Sequence, residues 1–234
     1  MTYKATIAAA CIAAAGTPVF AQVTGGELGI EYNAPIDGSD FGGTTYSGGI
    51  EYGFMQTFSV SANVAGYKFD NIDTDASNVT LHATYHLSSA ASAGAFFARD
   101  DVEDGYANIY GIEGGTEFMG GDIGGYIGRT DTDGEDATLF GVDGTYSFGN
   151  GFALISDIDL LSIDDTTLSQ ASFGAEYQLQ SGPSFYAQVG RISASVDDDS
   201  DSVGFVTIGA KVAFGAQRGT TFENRSILEV IPGF

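Results

Sequence analysis

The sequence predicts an all-β protein, a transmembrane up-and-down antiparallel β-barrel of about 12 strands with a short C-terminal extension. Three observations predict it. Short segments alternate between apolar and polar residues along most of the chain, as expected for strands, whose successive side chains point to opposite faces. The connections between these segments alternate in length and in acidity, and the acids inside the segments fall on the less apolar face.

The N-terminus has the features of an export signal. Lys4 gives a basic start, residues 5–15 are small and mostly apolar, and Val19-Phe20-Ala21 fits a cleavage site before Gln22. We therefore expect residues 1–22 to be a cleaved signal peptide, residues 23–214 to form the barrel, and residues 215–234 to form a C-terminal periplasmic tail. The tail could instead tuck into the barrel mouth.

The single cysteine, Cys11, falls within the predicted signal. A lipoprotein site at Cys11 fits less well, because residues 8–10 are all alanine and the usual large aliphatic residue is missing. The exported chain would then contain no thiol and no disulfide.

The composition is strongly acidic. Eight Lys and Arg residues face 31 Asp and Glu residues, which gives a net charge of −23. Such a surface repels nucleic acid and anionic solutes and attracts cations. With 34 glycines, 17 Phe and 12 Tyr, the chain favours strands and tight turns over helices.

Twelve alternating segments follow one another along the chain. In order they centre on Leu28–Tyr32, Tyr46–Phe54, Phe58–Tyr67, Val79–Leu87, Ser92–Ala98, Ile109–Phe118, Ile123–Thr130, Leu139–Phe148, Phe152–Leu161, Ala171–Leu179, Phe185–Ile192 and Val203–Phe214. An even number of strands suits a bacterial barrel, although the pattern alone leaves 12 and 14 strands open.

The last segment keeps the strand period up to Phe214. Phe234 could instead end the barrel, but Pro232 and Gly233 would spoil a terminal strand, so we expect the closing strand to end at Phe214. Beyond it, residues 226–231 could form about one amphipathic turn.

The connections predict two different rims. The first connection after a strand is long and acidic and the next is short and nearly neutral, so that 19 of the 31 acids lie in the long set. An up-and-down barrel with its loops on one side and its tight turns on the other explains this alternation. Phenylalanines flank the short turns and predict an aromatic girdle there. They are Phe54, Phe58, Phe118, Phe148, Phe152, Phe185 and Phe214.

Placing the apolar face toward lipid assigns the other face to the lumen. The lining acids outnumber the lining lysine by nine to one, and inward glycines predict a water-filled space. The predicted pore-lining residues are Glu27, Glu31, Glu51, His82, His86, Glu113, Glu117, Asp143, Asp157, Asp159, Glu176 and Lys211. Such a wall favours cations over anions.

Catalytic and metal sites are not predicted. His82 and His86 lie about 13 Å apart on one strand, too far to chelate one ion, and Thr84 stands where a serine nucleophile would be needed. The acidic loops lack the glycine and glutamate positions of an EF-hand. We expect no cofactor, no enzyme activity, and at most diffuse divalent cations at the acidic extracellular loops.

Three arginines, Arg99, Arg129 and Arg191, each end an upward strand below an acidic connection. By parity they face outward, where they could contact lipopolysaccharide phosphates or pair with adjacent loop acids.

The segments Gly141–Gly149 and Phe173–Tyr177, together with the signal peptide and the Gly- and Asp-rich strands, resemble the alphaproteobacterial (Rhodobacter-type) porins. The terminal aromatic of the Val203–Phe214 segment resembles the signal read by the barrel-assembly machinery. Porins of that type have sixteen strands and a long inward third loop, whereas the connection near Arg99–Asn108 is short. Trimeric assembly and the usual eyelet are therefore in doubt, and the oligomeric state stays open.

The resemblance implies an integral protein of the bacterial outer membrane, in contact with outer-membrane lipid and lipopolysaccharide. Together with the acidic lumen it implies a small porin-like channel for passive diffusion of ions and small hydrophilic solutes, with a preference for cations. The alternative is a non-conducting structural or surface barrel. Inward glycines favour the channel, and a tail or loop blocking the lumen would favour the alternative.

Overall fold

The computed structural model describes residues 21–36, 42–54, 57–70, 74–103, 105–132, 135–180, 182–196, 199–215 and 219–230. Most of the predicted signal peptide lies outside these ranges, and its cleavage stays a prediction. Within the described ranges, no helix is long and apolar enough to cross a membrane.

Twelve strands occupy the described chain, close to the predicted segments but longer. They are β1 (Ala21–Pro35), β2 (Gly43–Phe54), β3 (Phe58–Phe69), β4 (Asp75–His86), β5 (Ala91–Val102), β6 (Gly105–Phe118), β7 (Gly121–Thr132), β8 (Glu135–Ser147), β9 (Phe152–Ile163), β10 (Thr166–Gln178), β11 (Pro183–Val196) and β12 (Asp199–Phe214).

The strands form one closed antiparallel barrel in which each strand pairs with its neighbours in sequence and β12 pairs with β1. The closing ladder has ten residue pairs, from Gly26 opposite Phe214 to Pro35 opposite Phe205. This confirms the up-and-down fold, the count of 12 rather than 14, and Phe214 as the end of the closing strand. Closure matters because hydrocarbon offers no partner to an unpaired backbone group.

Four of the six acidic connections are two residues long and so no longer than the neutral turns, which means that the predicted alternation of long and short connections is wrong for them. Residues 103 and 104 alone join β5 to β6, and Asp164-Asp165 join β9 to β10, with Asp164 at a φ of 47°. The acids lie largely on strand ends, as where Val196 pairs with Asp199. Apolar alternation is needed only where a strand faces lipid, so the pattern could not show that the strands continue beyond it.

The outward face is apolar, as predicted. Ile112, Leu28 and Leu87 are 63–64% exposed, which suits side chains that face lipid rather than a core. All seven phenylalanines of the predicted girdle are exposed, from 37% for Phe54 to 60% for Phe118. They surround the end of the barrel that carries the short turns.

The three rim arginines differ from one another. Arg99 pairs with Asp101, with Nε 3.1 Å from Oδ2, and its guanidinium lies 4.1 Å from the ring centroid of Tyr106. This is the pairing with a neighbouring acid that the sequence allowed. Arg129 and Arg191 are exposed, and contact of these two with lipid phosphates stays a prediction.

The closed ring predicts resistance to cold detergent. Unboiled protein should run as a compact band in a detergent gel and shift on heating, because opening the ring means breaking paired strands together. Comparing boiled and unboiled samples of the outer-membrane fraction checks this. Recovery as a folded soluble monomer would contradict the membrane barrel.

Candidate functional site

The inward face of the barrel is the candidate site, and its two sides differ. A cavity of about 280 Å³ is lined by β1–β3 and β8–β12. The side formed by β4–β7 is covered by residues 219–230, which we call the lumenal segment.

The cavity brings together seven of the twelve predicted lining residues. They are Glu27, Glu31, Asp143, Asp157, Asp159, Glu176 and Lys211. Three more lie beneath the lumenal segment and are buried there, namely Glu51, His82 and Glu113. The other two, His86 and Glu117, lie close to the end with the short turns and do not line the cavity.

Several acids of the cavity are held in place by hydrogen bonds. The Tyr186 hydroxyl donates to Glu31 Oε2 at 2.7 Å, and the Tyr126 hydroxyl donates to Asp159 Oδ1 at 2.7 Å. Lys211 Nζ lies 2.8 Å from Glu176 Oε2. The lysine is therefore already paired, and its charge is offset by a wall carboxylate.

Two further carboxylates of the cavity come from the lumenal segment. Glu223 and Glu229 line the same space as the wall acids, so that eight carboxylates and one lysine line it in all. The sequence analysis missed both, because the segment lacks alternation and was expected outside the barrel.

The position of the lumenal segment corrects the expectation of a periplasmic tail. Residues 219–230 lie inside the lumen, which is the tucked placement that the sequence also allowed. The chain leaves β12 through Gly215 at a φ of +92°, and Gly219 has a φ of +137°. Both values lie in the region that favours glycine. A Cβ on Gly25 would come within 1.6 Å of the Gly219 carbonyl oxygen, so the wall has room for the returning chain only because Gly25 has no side chain.

Polar wall residues bind the backbone of the segment. Thr221 N donates to Glu51 Oε2 at 2.9 Å, Arg225 N donates to Thr80 Oγ1 at 3.0 Å, and Ile227 N donates to Asp100 Oδ2 at 2.9 Å. These bonds satisfy backbone donors that a segment outside regular structure would otherwise leave unpaired.

A charged cluster fixes the middle of the segment. Glu113 accepts from Arg225 Nε at 3.1 Å and its other oxygen lies 2.6 Å from His82 Nδ1. The Arg225 guanidinium also lies 4.4 Å from the ring centroid of Tyr126. Arg225 and Glu113 are both almost fully buried, so each depends on the other for compensation of its charge.

Apolar contacts hold the far end of the segment. Residues Ile227–Glu229 form one 3₁₀ turn, capped by Ser226 Oγ, which accepts from Leu228 N. This confirms the expected single turn. Ile227 and Val230 pack on an inward apolar cluster that includes Ile109 and Leu139. Leu228 packs on a second cluster, around Tyr67 and Phe69 of β3. The turn thus bridges two sides of the lumen.

The structure also brings two serines to one histidine. His86 Nε2 lies 3.0 Å from Ser59 Oγ, and His86 Nδ1 lies 2.9 Å from Ser92 Oγ. The sequence search overlooked Ser59 because it is 27 residues away in the chain. Ser59 is fully buried, so a substrate could not reach its hydroxyl. Among the described residues, no group of three or more acid, histidine or cysteine side chains is placed to hold a metal ion.

Comparison with known proteins shows the fold. Neither a family model nor a curated protein matches the amino-acid sequence. The structure is similar to the NanC porin, with a TM-score of 0.61 at 11% identity, over 80% of this chain and 98% of that chain. It is similar to the KdgM porin, with a TM-score of 0.58 at 11% identity, over 80% and 99%.

A third similar structure is described as the CymD monoaromatic hydrocarbon channel, with a TM-score of 0.52 at 10% identity, over 86% of this chain and 90% of that chain. At these identities the likeness shows that the chain has a porin-type barrel fold. The narrower resemblance to alphaproteobacterial porins stays a prediction.

The Arg225–Glu113 pair predicts a sharp difference between two inward glutamates of β6. Glu113→Ala should weaken docking of the lumenal segment by about 3–5 kcal/mol, because it leaves a buried guanidinium without its carboxylate. Trypsin should then cleave after Arg225, which the folded protein protects, and mass spectrometry of the chain would detect the loss of residues 226–234.

Glu117→Ala is the matched control. Glu117 is inward on the same strand but exposed, and replacing it should leave Arg225 protected. Equal cleavage in both variants would contradict the role of the charged pair.

Proposed function

We propose that the protein is a porin-like channel of the bacterial outer membrane for passive diffusion of ions and small hydrophilic solutes, with a preference for cations. One observation carries the proposal. Eight carboxylates line the cavity along the lumen, and the one lysine among its lining residues is paired with Glu176.

The screening distance decides how far the wall charge acts. At physiological ionic strength a charge is screened over about 8 Å, which is comparable to the radius of a narrow pore. Wall charge is therefore felt throughout such a lumen. It raises the local concentration of cations and lowers that of anions.

The wall acids also set this chain apart from one structural neighbour. The KdgM porin has been solved in complex with disordered oligogalacturonate, a sugar chain that carries repeated carboxylates. A lumen lined by Glu27, Glu31, Asp157 and Asp159 would repel such a polyanion. Small cations and uncharged hydrophilic molecules fit this lumen better.

The fold supports a place in the outer membrane. A closed ring with an apolar outer surface and an aromatic girdle suits a bilayer. Lipid and lipopolysaccharide would then contact the outward face, with Arg129 and Arg191 at headgroup level, and divalent cations would gather near the acidic strand ends. The barrel-assembly machinery would insert the chain.

A second candidate function is a non-conducting structural or surface barrel. The lumenal segment favours it, since residues 219–230 occupy one side of the lumen and the 3₁₀ turn bridges it. The cavity that remains beside the segment favours the channel. Conductance separates the two.

The channel predicts that refolded protein in a planar bilayer passes K⁺ in preference to Cl⁻ across a salt gradient. The preference should fade in molar salt, where screening shortens to about 3 Å. Replacing both Asp157 and Asp159 with Asn should move the reversal potential toward zero without unfolding the barrel, because both sites stay polar.

The control carries the same charge change outside the lumen. Asp164 and Asp165 lie exposed on the turn between β9 and β10, and replacing both with Asn should leave the reversal potential unchanged. An anion-selective protein would refute the cation preference. A protein that never conducts would favour the structural barrel.

A further inference from the structure

We propose that the lumenal segment is a fixed selectivity element, and that permeating cations pass between its exposed carboxylate, Glu223, and the acidic wall of β8–β12. The inference deepens the proposed channel function and rests on it. It assigns specificity to residues that follow the last strand rather than to the barrel wall alone.

The exposure of the side chains varies along the segment. Glu223 is exposed and lines the cavity, while its neighbours Phe222, Asn224 and Arg225 are 5–8% exposed. The segment therefore buries the neighbours of Glu223 and presents the Glu223 carboxylate to the open side of the lumen.

The basic and acidic side chains of the segment face different surroundings. Arg225 is turned toward β6 and offset by Glu113, whereas Glu223 and Glu229 line the cavity. A guanidinium facing the cavity would oppose the passage of cations. Its burial against a carboxylate removes that opposition and leaves the segment's exposed face acidic.

The wall contacts the segment closely. A Cβ on Gly94 would lie 3.1 Å from the Phe222 ring, and one on Gly49 would lie 3.0 Å from the Thr220 methyl group. Asn63 Nδ2, between them on β3, donates to the Phe222 carbonyl oxygen at 3.3 Å. With the bonds to Thr80 and Asp100, these contacts hold the segment at both ends and in the middle, as a constriction must be held.

The fourth observation is the length of the connection between β5 and β6. The connection from β5 to β6 consists of residues 103 and 104, which is too short to fold inward and narrow the pore. Residues 219–230, by contrast, lie within the lumen.

The test compares the full chain with a chain ended after Phe214, both in planar bilayers. Without the segment, single-channel conductance should rise several-fold, because one side of the lumen is freed. The truncation also removes Arg225 and uncovers Glu51, Asp100 and Glu113, so the role of Glu223 in selectivity is tested with a point substitution. The heat-dependent gel shift establishes that the shortened barrel is folded.

A second variant keeps the test valid if the shortened chain fails to fold. Glu223→Gln removes one exposed charge and, among the described residues, breaks no hydrogen bond or ion pair. It should lower the cation preference at nearly unchanged conductance. Asp164→Asn on the exposed turn should change neither the cation preference nor the conductance.

The outcomes separate the two proposals. If the full chain conducts and Glu223→Gln leaves its selectivity unchanged, the segment is no selectivity element, while the channel function stands. If the full chain is silent and the shortened chain conducts, the segment is a plug and the inference is wrong. If neither conducts, the channel function fails together with the inference.

Discussion

The backbone pairing of β1 with β12 is the constraint on which the rest of this structure depends. Hydrocarbon cannot solvate a free amide or carbonyl, so a membrane sheet has to close. Ten residue pairs close this one. Closure fixes the parity of every strand, and parity in turn separates an apolar surface from a polar lumen. Acids such as Glu113 and Asp159 can then lie at membrane depth without facing lipid.

A closed polar lumen creates a second problem, which is how to fill part of it. Strands β2–β7 supply hydrogen-bonding groups and the buried carboxylates Glu51, Asp100 and Glu113. There are also two inward apolar clusters, one of which extends onto β8 and β9, and the lumenal segment contacts all of these groups. The β8–β12 side keeps its acids toward open space. The asymmetry follows from where the chain re-enters, since Gly215 and Gly219 turn it back beside Gly25 at the seam of the barrel.

The sequence was sufficient to predict the barrel wall but not what occupies the lumen. A period of two specifies which face a side chain takes, and that placed the strands, the end at Phe214 and the inward acids. It carries no information about what spans the lumen. The inward glycines were interpreted as open water, yet the Tyr186 ring lies over Gly209 and the Tyr126 ring over Gly141. Neighbouring side chains use that space.

The fate of the tail was equally hard to predict. Residues 219–230 follow neither strand nor long-helix periodicity, because their structure is set by contacts with six or more strands rather than by a local repeat. One signal was present in the chain. Arg225 is one of only eight Lys and Arg residues. Because nine acids were predicted to line the lumen, pairing Arg225 with one of them would have placed the segment inside the barrel. The acidic connections were predicted too long because a strand needs apolar alternation only along an apolar outer face, so the polar strand ends do not show in the pattern.

The attachment of the lumenal segment after the last strand separates two kinds of sequence change. A substitution on a strand alters the lumen and also the packing of two neighbouring ladders, so stability limits it. A substitution at Glu223 touches no ladder at all. The twelve residues of the lumenal segment can therefore change the chemistry of the lumen without changing the hydrogen-bonded wall.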